Sequence, residues 1–293
     1  MASRTKSAHK TEAKSLPVLK PFRLAGHPNN EHYTVRWFSD IPLKWVLLFA
    51  CLWPTAAIAQ SGAAAFDAYE KLFRWVPFLF MQGFLFNVLI SVLAMLIGTM
   101  FGAFFGLGLV SKIPAIRKFT QVYVTFFRNA PWLVLLFIIL LAFPFQISLF
   151  GWVVPLPGWM KTVIGLALPV SANIAEVVRG GIQSVPTAQW EAAESLSFTR
   201  RQTLWQIILP QCVKRMLPPW MNWYAILTMS TPLCSLLGVN EIISLTRQAM
   251  ESEGNRPELL VPFYGFCLVL FFAYCYPIAR FTTKLERKFA VKM

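Results

Sequence analysis

The chain has 293 residues, of which 56% are hydrophobic, 15% aromatic and only 14% charged. Soluble domains carry roughly 25% charged residues, so this composition excludes an ordinary water-soluble globule and leaves little chain for a separate soluble domain. Lysine and arginine number 27 against 13 acids, a formal net charge of +14, but no basic-aromatic surface motif accompanies the excess, which argues against nucleic acid as a partner.

Residues 1–42 are polar, basic and proline-containing, without a helical period, and read as a disordered or surface-lying cytoplasmic arm. Six later stretches reach the about 20 mostly apolar residues that a bilayer-spanning helix needs: 43–60, 78–110, 122–143, 162–178, 217–238 and 261–279. The expected fold class is therefore an all-α polytopic membrane protein. The first stretch ends in Ala57-Ile58-Ala59, which resembles a signal-peptidase site. The polar region ahead of it is too long for an ordinary signal sequence, so it reads as an uncleaved helix. The gaps between stretches alternate in charge. The arm to Lys44, the gaps 111–121 and 179–216 and the tail from Arg280 hold 21 of the 27 basic residues, whereas 61–77, 144–161 and 239–260 hold five. Lysine and arginine concentrate on the cytoplasmic side, so both termini are expected inside. Cys51, Cys212, Cys234, Cys267 and Cys275 show no CxxC or histidine-paired spacing, which predicts neither a disulfide framework nor a metal site.

In the second stretch Gly98, Gly102 and Gly106 recur every four residues. They share one helical face and let another backbone approach, either as ordinary packing or as a seam beside a moving pathway. The third stretch starts FFRNAPWLVLLF. Pro131 is tolerated near a helix start, and Arg128 ahead of it can snorkel toward the interface. The gap 144–161, with Pro144, Gly151, Pro155 and Pro157, reads as a compact external turn. In the fourth stretch Asn173, Glu176 and Gly180 share a face. A carboxylate in a membrane helix costs about 3 kcal/mol on insertion scales, so Glu176 either pairs with Arg179 or forms a polar wall of a cavity.

Hydropathy then collapses between Arg179 and Met216. Trp190, Ala193, Glu194 and Ser197 step along one short helix, and Phe198, Leu204, Ile207 and Ile208 along a second that Pro210 closes. A plain connector has no need of such apolar teeth. Two amphipathic helices joined by a turn suit a groove on a partner or a membrane surface.

Within this loop, Glu191-Ala192-Ala193 followed by Ile208-Leu209-Pro210 resembles the EAA loop of bacterial ATP-binding-cassette import permeases. RGGIQSVPTAQWEAAESLSFTRRQTLWQIILPQCVKRMLPP, FLFMQGFLFNVLISVLAMLIGTMFG, VYVTFFRNAP and TPLCSLLGVNEI are similar to the branch that takes up polar amino acids such as histidine, glutamine, arginine and glutamate. The likeness runs from about Trp75 to Arg287. It implies a five-helix core at 75–287 with a cytoplasmic coupling loop at 179–216; the apolar helix at 43–60 is an addition that departs from that core, and 288–293 reads as a short cytoplasmic tail. It further implies a bacterial inner-membrane location, a second permease chain, same or homologous, a cytoplasmic ATPase dimer seated on the EAA loops, and a periplasmic substrate-binding protein. Coupling residues carried over are Glu191, Ala192, Ala193, Ser197, Leu209 and Pro210. Ser197 stands where the family has glycine, which supplies φ > 0 between the two short helices. The family's common KDTSL appears as Met229-Ser230-Thr231-Pro232-Leu233, two charges fewer.

No GxxxxGK[ST] phosphate loop occurs, so the chain is expected not to bind ATP itself. ATP and magnesium belong to the partner ATPase, and no cofactor is expected here. The absence of HExxH, GxSxG or a carboxylate pair argues against an enzyme. Polar groups in apolar helices mark candidates for the substrate path: Asn87, Asn173, Glu176, Asn222, Ser230 and Thr231. Alternatives are an ion-coupled secondary transporter, which calls for inverted repeats that are not evident, a purely structural membrane protein, and a permease of the same family carrying an amino-acid derivative such as an opine.

Overall fold

The computed structural model describes residues 62–149 and 152–289. The expected arm at 1–42, the additional helix at 43–60 and the last four residues of the tail lie outside them. Helix α1 (Ala63–Phe78) runs through a π turn, Leu79–Phe84, into α2 (Leu85–Leu109). The expected start at residue 78 is therefore too late. Pro77 lies in the last turn of α1, and the helix runs on past it into the wider π turn. Gly83 uses that widened turn: a Cβ there would lie 2.9 Å from the backbone of Ile242.

The third stretch is two helices, α3 (Pro114–Asn129) and α4 (Trp132–Ala142), whose axes bend by 107°. Proline disfavours the helical region for the residue before it, and Ala130 is extended at φ −77°, ψ 135°. The same helix begins eight residues before the expected 122, so most of the gap 111–121 is helical. The gap after α4 holds an antiparallel hairpin, β1 (Gln146–Leu149) and β2 (Trp152–Pro155), with Ile147 opposite Val154. It is a small addition to an otherwise helical fold. Lys161 clamps its base: the ammonium donates to the Leu140 carbonyl at 3.2 Å and the Phe143 carbonyl at 2.6 Å and sits 3.5 Å over the Phe145 ring. These contacts take up carbonyls that the end of α4 leaves unpaired, which lets a lysine be only 1% exposed.

Helix α5 (Gly158–Gln183) is the centre of the bundle, and α2, α3, α4 and α7 (Leu209–Ser230) all pack on it. The glycine ladder makes the closest join. A Cβ at Gly98, Gly102 or Gly106 would meet Val170, Ile174 or Val178 at 2.6, 2.6 and 2.5 Å. Backbone contact of this kind maximises dispersion where lipid gives no hydrophobic drive. Helix α7 tightens into a 3-10 turn at Thr231–Leu237, and α8 (Ile242–Ser252) then leads through a second 3-10 turn to α9 (Leu260–Phe289). Along its second half, α1 is tied to the loop after α8. Trp75 donates to Glu253 at 3.1 Å and Lys71 pairs with it at 3.3 Å, holding that carboxyl below its usual range.

Three helical runs are long and apolar enough to cross a bilayer alone: Phe66–Leu109, Gly158–Gln183 and Pro257–Phe289. Two bent pairs, one across the α3–α4 break and one across the α7–α8 turn, pass the same test together, which makes up to five spans among the described residues if each pair crosses once.

Candidate functional site

The loop at 179–216 folds into a helical hairpin at the end of α5 opposite the β-hairpin. Helix α6 (Thr187–Ser195) carries Glu191 and Ala192 on its exposed face and buries Ala193. Its end is a Schellman-type reversal: the Ser197 N–H donates to the Glu194 carbonyl at 2.9 Å and the Phe198 N–H to the Ala193 carbonyl at 3.1 Å. Ser197 lies beyond the helix, not on it, with φ +60°. The left-handed backbone that the family's glycine would supply is thus kept, with serine bearing the strain.

Thr199 then starts the return leg. Its hydroxyl accepts from the Gln202 N–H, and the Gln202 side chain accepts from the Thr199 N–H, a reciprocal capping box. The return leg is not closed by Pro210, as the sequence suggested. A π turn at Thr203–Ile208 precedes that proline, and the helix runs on as α7. The wider turn relieves the ring's clash with the preceding carbonyls. Arg201, Gln202, Trp205 and Gln206 line an open groove on this leg, and Leu196 and Trp205 stay largely exposed.

The hairpin is fixed to the bundle. Val185, Ile208 and Cys212 belong to one apolar cluster with Val170, Ile174, Val178 and Ile182 of α5, and Trp190, Leu204, Ile207 and Leu209 pack against it. Arg215 donates to the Ser184 carbonyl and to its hydroxyl. Arg200 reaches the Val110 carbonyl at 3.3 Å and lies 5.4 Å from the Trp190 ring. A push on α6 therefore reaches α5 and α7 through packed side chains.

The polar side chains of the bundle helices form two separate places, one buried and one open to the surface. In the first, Asn87 donates to Thr231 at 3.0 Å and to Glu241 at 2.9 Å, and accepts from the Ile242 N–H at 3.0 Å. The other Glu241 oxygen accepts from the N–H groups of Ile243 and Ser244. Asn87, Thr231 and Glu241 are completely buried. Sequence reasoning placed Glu241 in an external gap. Its signal was a carboxylate directly ahead of the apolar run Ile242-Ile243, where a helix N-terminus can hold it.

In the second place Glu176 pairs with Arg179 at 2.6 Å and Arg128 at 3.4 Å. Asn173, one turn away, turns back to the Pro169 carbonyl at 2.8 Å. Of the remaining candidates, Ser230 donates to the Ile226 carbonyl at 2.8 Å, and Asn222 is exposed on α7, as is Met229. The described side chains that bond α2 to its neighbours include Thr99, which accepts from Trp220 at 2.8 Å. Tyr224 and Tyr274 link α7 to α9 by a 2.7 Å hydroxyl pair.

This architecture has known relatives. Residues 98–290 match the family described as "Binding-protein-dependent transport system inner membrane component". A probable amino-acid ABC transporter permease protein, YckA of Bacillus subtilis, is 34% identical over 209 residues, 71% of this chain and 88% of the relative. The L-cystine transport system permease protein TcyB of the same organism is 30% identical over 232 residues, 79% of this chain and 94% of its own. Among solved structures, that of an amino acid ABC transporter with histidines superposes with a TM-score of 0.63 at 26% identity, covering 75% of this chain and 98% of the other. The inward-facing MetNI methionine ABC transporter shares the fold, with a TM-score of 0.55 at 16% identity and coverage of 74% and 98%. The family match spans about two thirds of the chain, the relatives are covered over most of their own length, and the chain belongs to the inner-membrane components of binding-protein-dependent transport systems.

Proposed function

We propose that the chain is the permease subunit of an ATP-driven importer of a polar amino acid. Two such chains, identical or homologous, enclose the path across the bacterial inner membrane. A cytoplasmic ATPase dimer supplies the energy, binding ATP and magnesium on its own residues. A substrate-binding protein delivers from the opposite side, and both termini face the cytoplasm with the ATPase.

The observation that carries this reading is the helical hairpin 187–208. It exposes Glu191, Ala192, Leu196 and Trp205 while Val185 and Ile208 anchor it in the core. An exposed apolar surface of this kind suits a partner's groove. Closure of the ATPase pair would shift the hairpin, and the α5–α7 cluster would carry the shift to the path. Ser197 sets the angle between the two legs, while Leu209 and Pro210 join the return leg to α7. Asn173, Glu176, Asn222 and Ser230 are the lining candidates. Asn87 and Thr231, being closed off in this chain, serve the path by holding α2 to the α7–α8 turn.

Reconstitution into proteoliposomes with and without the ATPase tests the reading. Uptake that needs the ATPase, and that Glu191→Lys abolishes without disturbing membrane insertion, is the expected result. Uptake without an ATPase would instead make the chain a secondary transporter.

A further inference from the structure

Arg128, Glu176 and Arg179 form one charged cluster where α3 ends against α5. It holds two guanidinium groups and one carboxylate. Arg179 takes one Glu176 oxygen at two points, with Nη2 at 2.6 Å and Nε at 2.7 Å. Arg128 reaches the other oxygen at only 3.4 Å, beyond the roughly 2.7–2.9 Å of a strong charge-assisted bond. Arg128 also stands on the last turn before the Ala130–Pro131 break, flanked by Phe126, Phe127 and Trp132. Two guanidinium groups share one carboxylate, so the cluster carries one positive charge in excess, and that excess among apolar residues is costly unless water or a further anion meets it. The side chains of Arg128 and Glu176 are 45% and 23% exposed, so the pair opens on the chain's surface, where a solute can reach it.

Resting on the amino-acid permease reading, we propose that Arg128 and Glu176 together recognise the zwitterionic head of an α-amino acid in transit. The guanidinium fork of Arg128 receives the α-carboxylate at two points. The Glu176 oxygen facing Arg128 receives the α-ammonium, and the loose 3.4 Å contact is the bond the substrate replaces. Arg179 is a positioning residue that keeps Glu176 in place while its other oxygen changes partners. Such a site reads only what all α-amino acids share and leaves side-chain selectivity to other contacts.

The test uses the complete reconstituted transporter and two readouts. The first is ATP-dependent uptake from a mixture of the twenty radiolabelled L-amino acids. Arg128→Gln is expected to lower it about tenfold or more, as loss of a charged hydrogen bond does. Arg128→Lys, which keeps the charge and loses the fork, restores it only in part. The second readout is independent of transport: modification of an Asn129→Cys chain by an anionic methanethiosulfonate reagent. The amino-acid mixture should slow it, the matching amino-acid amides should not, and Arg128→Gln should remove the protection. Undiminished uptake by Arg128→Gln, or equal protection by amides, overturns the proposal. So does protection that follows anionic phospholipid content instead of amino acid, since Arg128 would then hold a lipid headgroup. Wild-type complexes that show protection without ATP-dependent uptake would sink the importer reading and leave this recognition site standing. Loss of both sinks both.

Discussion

Ser197 is the residue at which local chemistry and fold are most at odds. A non-glycine residue in the left-handed region costs on the order of 1 kcal/mol, and its φ of +60° is imposed by the two hydrogen bonds that end α6. Ser197→Gly should therefore raise the stability of the purified protein by up to about 1 kcal/mol, read as a higher midpoint in thermal unfolding. A lowered midpoint would mean the serine side chain contributes something these bonds do not explain. Asn87 is the opposite case, since every polar atom of its amide is used. Asn87→Leu removes the side-chain donor to the buried Glu241 carboxylate, and an unpaired buried polar group costs about 1–3 kcal/mol, more when charged. We expect a loss in that range, and Glu241→Gln combined with Asn87→Leu should cost less than the two single changes summed, because they share one network.

At the scale of elements, the α2–α5 seam makes a sharp contrast available. Gly102→Ala puts a methyl group 2.6 Å from the Ile174 Cβ and 2.9 Å from the Ser171 carbonyl, and overpacking of this kind costs about 1–3 kcal/mol. Gly180→Ala, with nothing within 4 Å, should be neutral or gain up to about 1 kcal/mol from helix propensity. Comparing the two midpoints separates crowding from any general intolerance of alanine. The glycine spacing was legible because its period matches the helix. So was the coupling hairpin, where amphipathic steps and the EAA resemblance fall on the same residues. The prolines were not legible in the same way. Pro131 breaks a helix and Pro210 does not, because the turn before Pro210 widens and the residue before Pro131 is extended. That choice rests on what packs outside each turn, which the local sequence does not contain. Glu241 was missed for a related reason: its partner Asn87 lies 154 residues away, and hydropathy alone marks the segment around it as a gap.

For the molecule as a whole, the continuous apolar cluster from Val185 and Ile208 to α5 and α7 is, on the function proposed above, the route by which work done on the hairpin would reach the path. Ile208 is fully buried, and truncation to alanine there removes contacts worth about 2–5 kcal/mol. In the reconstituted transporter we expect Ile208→Ala to keep ATPase binding and ATP hydrolysis while uptake per ATP falls. A proportional fall in both would mean that the variant merely loses folded protein. Glu191→Lys should differ, losing ATPase binding itself, and a pull-down of the ATPase with each variant distinguishes the two.

The glycine seam also has a mechanical consequence. Two helices touching backbone to backbone through three successive turns have no room to slide, so α2 and α5 travel as a single rigid body. A conduit that must open to each side in turn then needs its joints elsewhere. The kinked connection at Ala130–Pro131 and the tightened turn beyond Ser230 are where the described chain offers them, and we expect spin labels across α2 and α5 to keep one distance through the transport cycle while labels across either joint report two.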